Sequence, residues 1–167
     1  PKFKKFWRGI KSTIYLRRQF GTSKISFREF VNKGSKFLDL SKREFIKQFK
    51  YTYTHSMKLK KDVFKTYKKI NLNKYILSDV NPYQLRYLKR NFSQVFKLAK
   101  KVFFSTEIEM RKSEMKTFRF IIKRLKNKPQ EILYIDNYKE NIKNAKKVGI
   151  KTILFKNNKQ LKNDLRK

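Results

Sequence analysis

Four side chains suited to phosphate or metal chemistry stand at the ends of short apolar runs. Ser78 and Asp79 follow Tyr75-Ile-Leu, Ser105 follows Val102-Phe-Phe, and Asp136 follows Ile132-Leu-Tyr-Ile. An apolar run that stops at a polar residue reads as a strand reaching its carboxyl end, where parallel α/β sheets collect their ligand groups. A hydroxyl, a lysine and an aspartate gathered there could bind a phosphate and Mg²⁺. Asp136 alone is a weak ligand for a hard cation, which takes several oxygens. A helix cap or turn is the plainer reading of both Asp136 and Ser78. Other chemistries lack their parts. There is no cysteine, and His55 is the only histidine, with no nucleophile beside it in a motif; it reads as an ordinary polar or partly buried side chain. Four glycines in the whole chain cannot build a glycine-rich phosphate loop,.

The elements that must position these residues are clearest from Glu131 to Phe155. An apolar run, the polar pair Asp136-Asn137, a helical stripe of Ile142, Ala145 and Val148, then Gly149 and a second apolar run form a βαβ unit,. From residue 60 onward helix and strand alternate, with a helix over 60–70, strands at 75–78 and 102–105, and helices opened by Asn81-Pro82 and by Ser113,. Four strands in this rhythm imply α/β with a mainly parallel sheet. Before it, residues 3–20 read as a basic helix and Gly21 to Lys24 as a loop. Ser26-Phe-Arg-Glu29 and Ser41-Lys-Arg-Glu44 are capping boxes for a helical hairpin,. The organisation is a helical section over 1–56 and an α/β core over 57–167, closed by a short basic helix at 160–167. No run approaches the length of a membrane span.

Charge sets the expected partner. Lys and Arg number 46 against 12 acidic residues, a formal charge of +34. A large single-sign excess repels itself and usually meets a polyanion. A lysine bias from an AT-rich genome contributes, but acidic residues stay scarce. The basic residues lie on nearly every element, and Lys4, Lys5, Arg17, Arg18, Lys60, Lys61, Arg86, Arg90, Lys100, Lys101, Lys123, Arg124, Lys146 and Lys147 are the expected RNA contacts,. Trp7 and exposed Phe and Tyr would pack on neighbouring proteins or bases.

The stretch 75–155 resembles the haloacid dehalogenase-like (HAD-like) hydrolases. Ser78 falls where the second motif of that family has a phosphate-contacting hydroxyl. Arg111-Lys112 matches the third motif, with Ser113-Glu114 replacing its usual Pro-Asp. Asp136 matches the first acid of the fourth motif, with Asn137 replacing the second, and Glu140-Asn141 keeps its continuation. Residues 3–56 are similar to the helical cap that follows the first strand of the family. The resemblance implies a HAD-like Rossmannoid parallel sheet with a small helical cap-like N-terminal section and the first strand absent. Nothing before the cap carries the Asp-x-Asp-x-Thr of the first motif, and with it the nucleophile. Residue 1 is Pro, so the chain is expected to have lost its start by processing or to be incomplete.

The resulting expectation is a pseudoenzyme, with no catalytic residue and no cofactor, serving as an rRNA-contacting structural component of a large ribonucleoprotein. The expected setting is the mitochondrial ribosome, among neighbouring ribosomal proteins. Ser78, Lys112, Asp136 and Asn137 would be a vestigial phosphate and metal site. The alternative is a Mg-dependent HAD-like phosphatase completed by a strand from another polypeptide or from a segment outside this sequence. A third class is a basic module for a membrane surface or nucleoid.

Overall fold

The computed structural model describes residues 13–55 and 57–166. The expectations that rest on residues 3–12, including Lys4, Lys5 and Trp7, and on the His55 side chain lie outside the described residues. The chain divides into two compact units, Pro1–Leu59 with Lys74–Glu109, and Lys60–Asn73 with Met110–Lys167.

The first unit opens with helices α1 (Ile14–Gly21), α2 (Phe27–Phe37) and α3 (Lys42–His55). Helix α1 carries through Gly21, where the sequence predicts a loop. The Ser26 capping box is reciprocal, and at the second the serine hydroxyl takes the Glu44 N–H. Ser26 Oγ accepts the Glu29 N–H at 3.1 Å and Glu29 accepts the Ser26 N–H at 3.1 Å. Ser41 Oγ accepts the Glu44 N–H at 3.2 Å. The three helices enclose an aromatic core. Phe20, Phe30, Phe45 and Phe49 are each at most 2% exposed, and the Phe49 ring centroid lies 5.2 Å from Phe30 and 4.7 Å from Tyr53. Gly34 lets α2 and α3 approach. A Cβ there would lie 2.5 Å from the Phe45 ring.

The unit continues through β1 (Tyr75–Ser78), α5 (Pro82–Asn91), α6 (Ser93–Phe96), β2 (Lys101–Phe104) and α7 (Ser105–Ile108), while α4 (Lys61–Lys69) belongs to the second unit. Asn81 caps α5 reciprocally with Gln84, and Pro82 occupies the first turn, as the sequence implied,.

The second unit adds α8 (Met115–Leu125), a 3₁₀ turn (Pro129–Glu131), β3 (Leu133–Asp136), α9 (Lys139–Lys146), β4 (Lys151–Leu154) and α10 (Asn158–Asp164). Helix α8 starts one residue beyond Glu114, which makes no side-chain cap. The expected Ser113 cap is therefore corrected: the chain turns at Arg111 to Glu114 before the helix begins. Gly149, at φ +83°, makes the turn from α9 into β4, in a region that side-chain-bearing residues rarely adopt.

All four expected strands form and pair in parallel, as two separate ladders, β1 with β2 and β3 with β4. Ile132 O accepts from Lys151 N at 3.1 Å and Asp136 O from Phe155 N at 2.9 Å. Backbone groups alternate sides along a parallel ladder, so the even positions of β3 face β4, and Leu133 and Ile135 turn theirs to the opposite edge. Lys74 O accepts from Lys100 N just before the β1–β2 ladder. Among the described residues no helix is long and apolar enough to cross a membrane.

Candidate active site

Strand β3 delivers Asp136 at its carboxyl end, and side chains two apart on a strand share a face. Tyr134 therefore stands beside Asp136 and donates its hydroxyl to Asp136 Oδ2 at 2.6 Å. Lys112 Nζ donates to the same oxygen at 2.7 Å. The Tyr138 backbone N–H, at the start of α9, donates to Oδ1 at 2.8 Å. The carboxylate is thus held on both oxygens. Its side chain is 5% exposed and that of Lys112 is 18% exposed. Burial pushes the Asp136 carboxyl up, but the Lys112 hydrogen bond, the Tyr134 hydroxyl, the Tyr138 N–H and the lysine charge outweigh it, and the group sits below its ordinary value,.

Lys112 is fixed from its own backbone. Thr117 Oγ1 donates to the Arg111 carbonyl before it, and Asn144 Nδ2 donates to the Ser113 carbonyl after it at 3.0 Å. Both clamps are buried. The Tyr134 ring meets Phe118 of α8 edge to face, with centroids 5.0 Å apart.

The structure brings Lys112 and Asp136 into direct contact, with exposed Asn137 next in sequence. Ser78 ends β1, half-buried, in the other unit, with Asp79 following. Ser105 is 1% exposed and is a structural staple. Its hydroxyl donates within reach of Gly21 O at 2.8 Å and Val80 O at 3.0 Å, and accepts the Val80 N–H at 2.9 Å. A hydroxyl so committed is closed to ligands. The sequence reading assigned no role to Tyr134, Thr117 or Asn144. Strand parity relative to Asp136 could have found Tyr134; Thr117 and Asn144 act through carbonyls that no spacing rule exposes.

The described residues do not by themselves fit a magnesium ion. They include no group of three acidic or histidine side chains placed to hold a metal, and both oxygens of Asp136 are engaged. Of the basic residues expected to contact RNA, Arg17 is half-buried and the other described ones are exposed. Lys60, Lys101 and Arg124 lie over the rings of Phe155, Phe103 and Phe120.

No family model matches this chain. Its fold is similar to that of a HAD family enzyme from Bacteroides thetaiotaomicron in its magnesium complex. That match has a TM-score of 0.79 at 20% identity, over 99% of this chain and 89% of the other. An aspartate-to-alanine variant of that enzyme, with magnesium and inorganic phosphate, matches with a TM-score of 0.76 at 20% identity, over 92% of this chain and 84% of the other. A predicted HAD-like family hydrolase from Porphyromonas gingivalis matches with a TM-score of 0.73 at 20% identity, over 91% of this chain and 79% of the other. The fold is HAD-like, a mixed α/β arrangement of helices and small parallel sheets.

These neighbours correct the functional expectation drawn from charge. They are enzymes, and complexes with magnesium and phosphate are among them. The reading as a catalytically inactive, rRNA-binding ribosomal protein of mitochondrial translation is overturned by that finding. Its physical weakness is that net charge bears on solubility and on nonspecific attraction, not on fold or site.

Proposed function

We propose that this chain is the greater part of a phosphate-ester hydrolase of HAD type. The carrying observation is the buried Lys112–Asp136 pair at the carboxyl end of β3, in a fold similar to HAD family enzymes. In this reading residues 1–56 form the cap-like section and 57–167 the α/β core. Lys112 supplies fixed positive charge for a phosphoryl group. Ser78 stands at the position where the resemblance implies a phosphate-contacting hydroxyl. Tyr134 and Tyr138 N–H orient Asp136, and Asn137 is the neutral neighbour where the resemblance implies a second acid. Preorganised charge of this kind is the main device of phosphoryl transfer.

The nucleophile and the remaining acidic donors have no counterpart among the described residues. A strand ending in Asp-x-Asp, from another polypeptide or from a segment outside this sequence, would supply them. Leu133 and Ile135 offer backbone groups on the edge of β3 away from β4, where such a strand can pair,. Magnesium dependence belongs to the reading only with donors from that strand.

The test is hydrolysis of a panel of phosphate monoesters with Mg²⁺ by the protein isolated from its native source with any associated polypeptide. Turnover is expected, with Lys112→Ala lowering kcat by about a hundredfold or more. A preparation that contains an Asp-x-Asp strand and turns over none of the panel overturns the reading.

A further inference from the structure

Two rows of cations begin at the Lys112–Asp136 pair. Helix α9 starts just after Asp136 and Tyr138, and Lys139, Lys143 and Lys146 recur along it at helical spacing, all exposed,. Helix α8 starts just after the turn that carries Lys112, and Lys116, Arg119 and Lys123 recur along it in the same way. The other sides of the helices are the buried ones, with Phe118 and Ile121 on α8 and Ile142 and Ala145 on α9. The two helices pack against each other. Helix α8 carries no acid and α9 only Glu140; Lys116 reaches Glu114, just before its helix, at 3.2 Å. Between the pair and the α9 row stands Tyr138. Its N–H donates to Asp136 Oδ1 at 2.8 Å, while the residue is 66% exposed.

We propose that the phosphate to be cleaved is the terminal phosphate of a single-stranded oligonucleotide, whose end base stacks on Tyr138 and whose following phosphates lie along the outer faces of α8 and α9. The inference rests on the hydrolase reading for the terminal phosphate and on this surface for the rest of the substrate. The strand is a substrate met at two helices, not a scaffold enclosed by the whole surface. Charge spread over an entire molecule selects no place, whereas these six cations stand on the exposed sides of the helices that begin at the pair. Like charges three or four residues apart oppose helix formation, and an anion laid across them offsets that repulsion. Residues four apart advance about 6 Å along a helix, so each row meets a series of charges. A small ester with one phosphate seated at Lys112 would leave the outer cations of both rows unused. An exposed ring beside a run of cations is how proteins hold single strands: the cations follow the backbone and the ring stacks a base of any identity.

The experiment is fluorescence anisotropy of the full chain with internally labelled octathymidylate, bearing a phosphate at its 5′ end, at its 3′ end or at neither, over a salt series. The triple variant Lys139→Gln, Lys143→Gln, Lys146→Gln is expected to weaken binding by about tenfold or more and to lower the slope of log affinity against log salt by about 2. The triple variant Lys156→Gln, Lys159→Gln, Lys162→Gln makes the same change in net charge at exposed positions of the same unit. It is expected to weaken binding by less than about threefold. Tyr138→Ala is expected to weaken binding by about fivefold or more, with Tyr138→Phe close to the unaltered chain. A terminal phosphate is expected to tighten binding, and Lys112→Ala to remove that gain. Circular dichroism shows whether each variant is folded. Equal losses in the two triple variants, or no loss with Tyr138→Ala, overturn the surface and leave the hydrolase reading standing. A terminal phosphate that adds no affinity at either end, while the surface variants still weaken binding, overturns the substrate and also counts against the hydrolase reading.

Discussion

At Asp136 burial and hydrogen bonding act in opposite directions, and hydrogen bonding decides the outcome. Desolvation alone would neutralise Asp136. Three donors keep it ionised instead, below its ordinary value of 3.8. A carboxylate whose pKa is depressed by folding adds stability above its unfolded value, and loses it as pH falls through the folded value. Asp136→Asn removes that contribution and leaves Lys112 facing a neutral amide. The variant is expected to be about 2 kcal/mol less stable at neutral pH. In urea unfolding, the gap between the two proteins should close as pH is lowered from about 5 towards about 2. A gap that does not change with pH would show that the pair is screened by water and contributes nothing as a charge. Ser105 gives the contrasting lesson at the same scale. A strand-end hydroxyl looks like a ligand group in sequence, yet its hydrogen bonds to Gly21 and Val80 make it a fastening of the first unit.

Between elements, the tightest constraint is the approach of α2 to α3. The Gly34 Cα stands against the Phe45 ring, and an added Cβ would lie 2.5 and 2.6 Å from its Cζ and Cε2 atoms. Phe45 is 1% exposed, so the ring cannot swing into solvent, and an added methyl must push the helices apart or force the ring off its rotamer. Gly34→Ala is expected to cost about 1–3 kcal/mol despite the better helix propensity of alanine. Phe45→Leu in the same background should recover part of that loss in thermal melts. If Gly34→Ala raises the melting temperature, helix propensity outweighs the packing and the close approach does not exist in solution. The ladders show the same dependence on what lies alongside. Short apolar runs specify four strands, and parity specifies which backbone groups turn from β4, but pairing stops at two strands in each ladder.

For the whole molecule the dominant fact is +34 of formal charge. Basic residues outnumber acidic ones 46 to 12, and the Lys89–Glu107 and Lys33–Glu29 ion pairs are exposed. Like charges on one surface raise the free energy of the compact state, and salt screens them. The melting temperature is therefore expected to rise as ionic strength goes from about 0.02 M to about 0.3 M, the range over which the screening length shrinks to below about 10 Å. A fall over that range would mean that specific attractive pairs, not the net repulsion, govern stability. This charge is also where the sequence misled: it suggested an RNA partner, while the fold neighbours are enzymes.

The sequence by itself determined what depends on near neighbours. Capping depends on residues within one turn, so the Ser26–Glu29 box and the Asn81 cap before Pro82 were legible, as were the helical stripes, the four strands and the turn at Gly149. Asp136 at a strand end was legible for the same reason, and the resemblance supplied Lys112. Only the tertiary structure decided what depends on distant segments meeting. It brought Lys112 to Asp136 across 24 positions, and Asn144 to the carbonyl of Ser113 across 31. It buried Ser105 beneath Gly21 across 84. Local rules act through a few bonds of one chain, whereas a buried charge is settled by whichever donors the packing places around it.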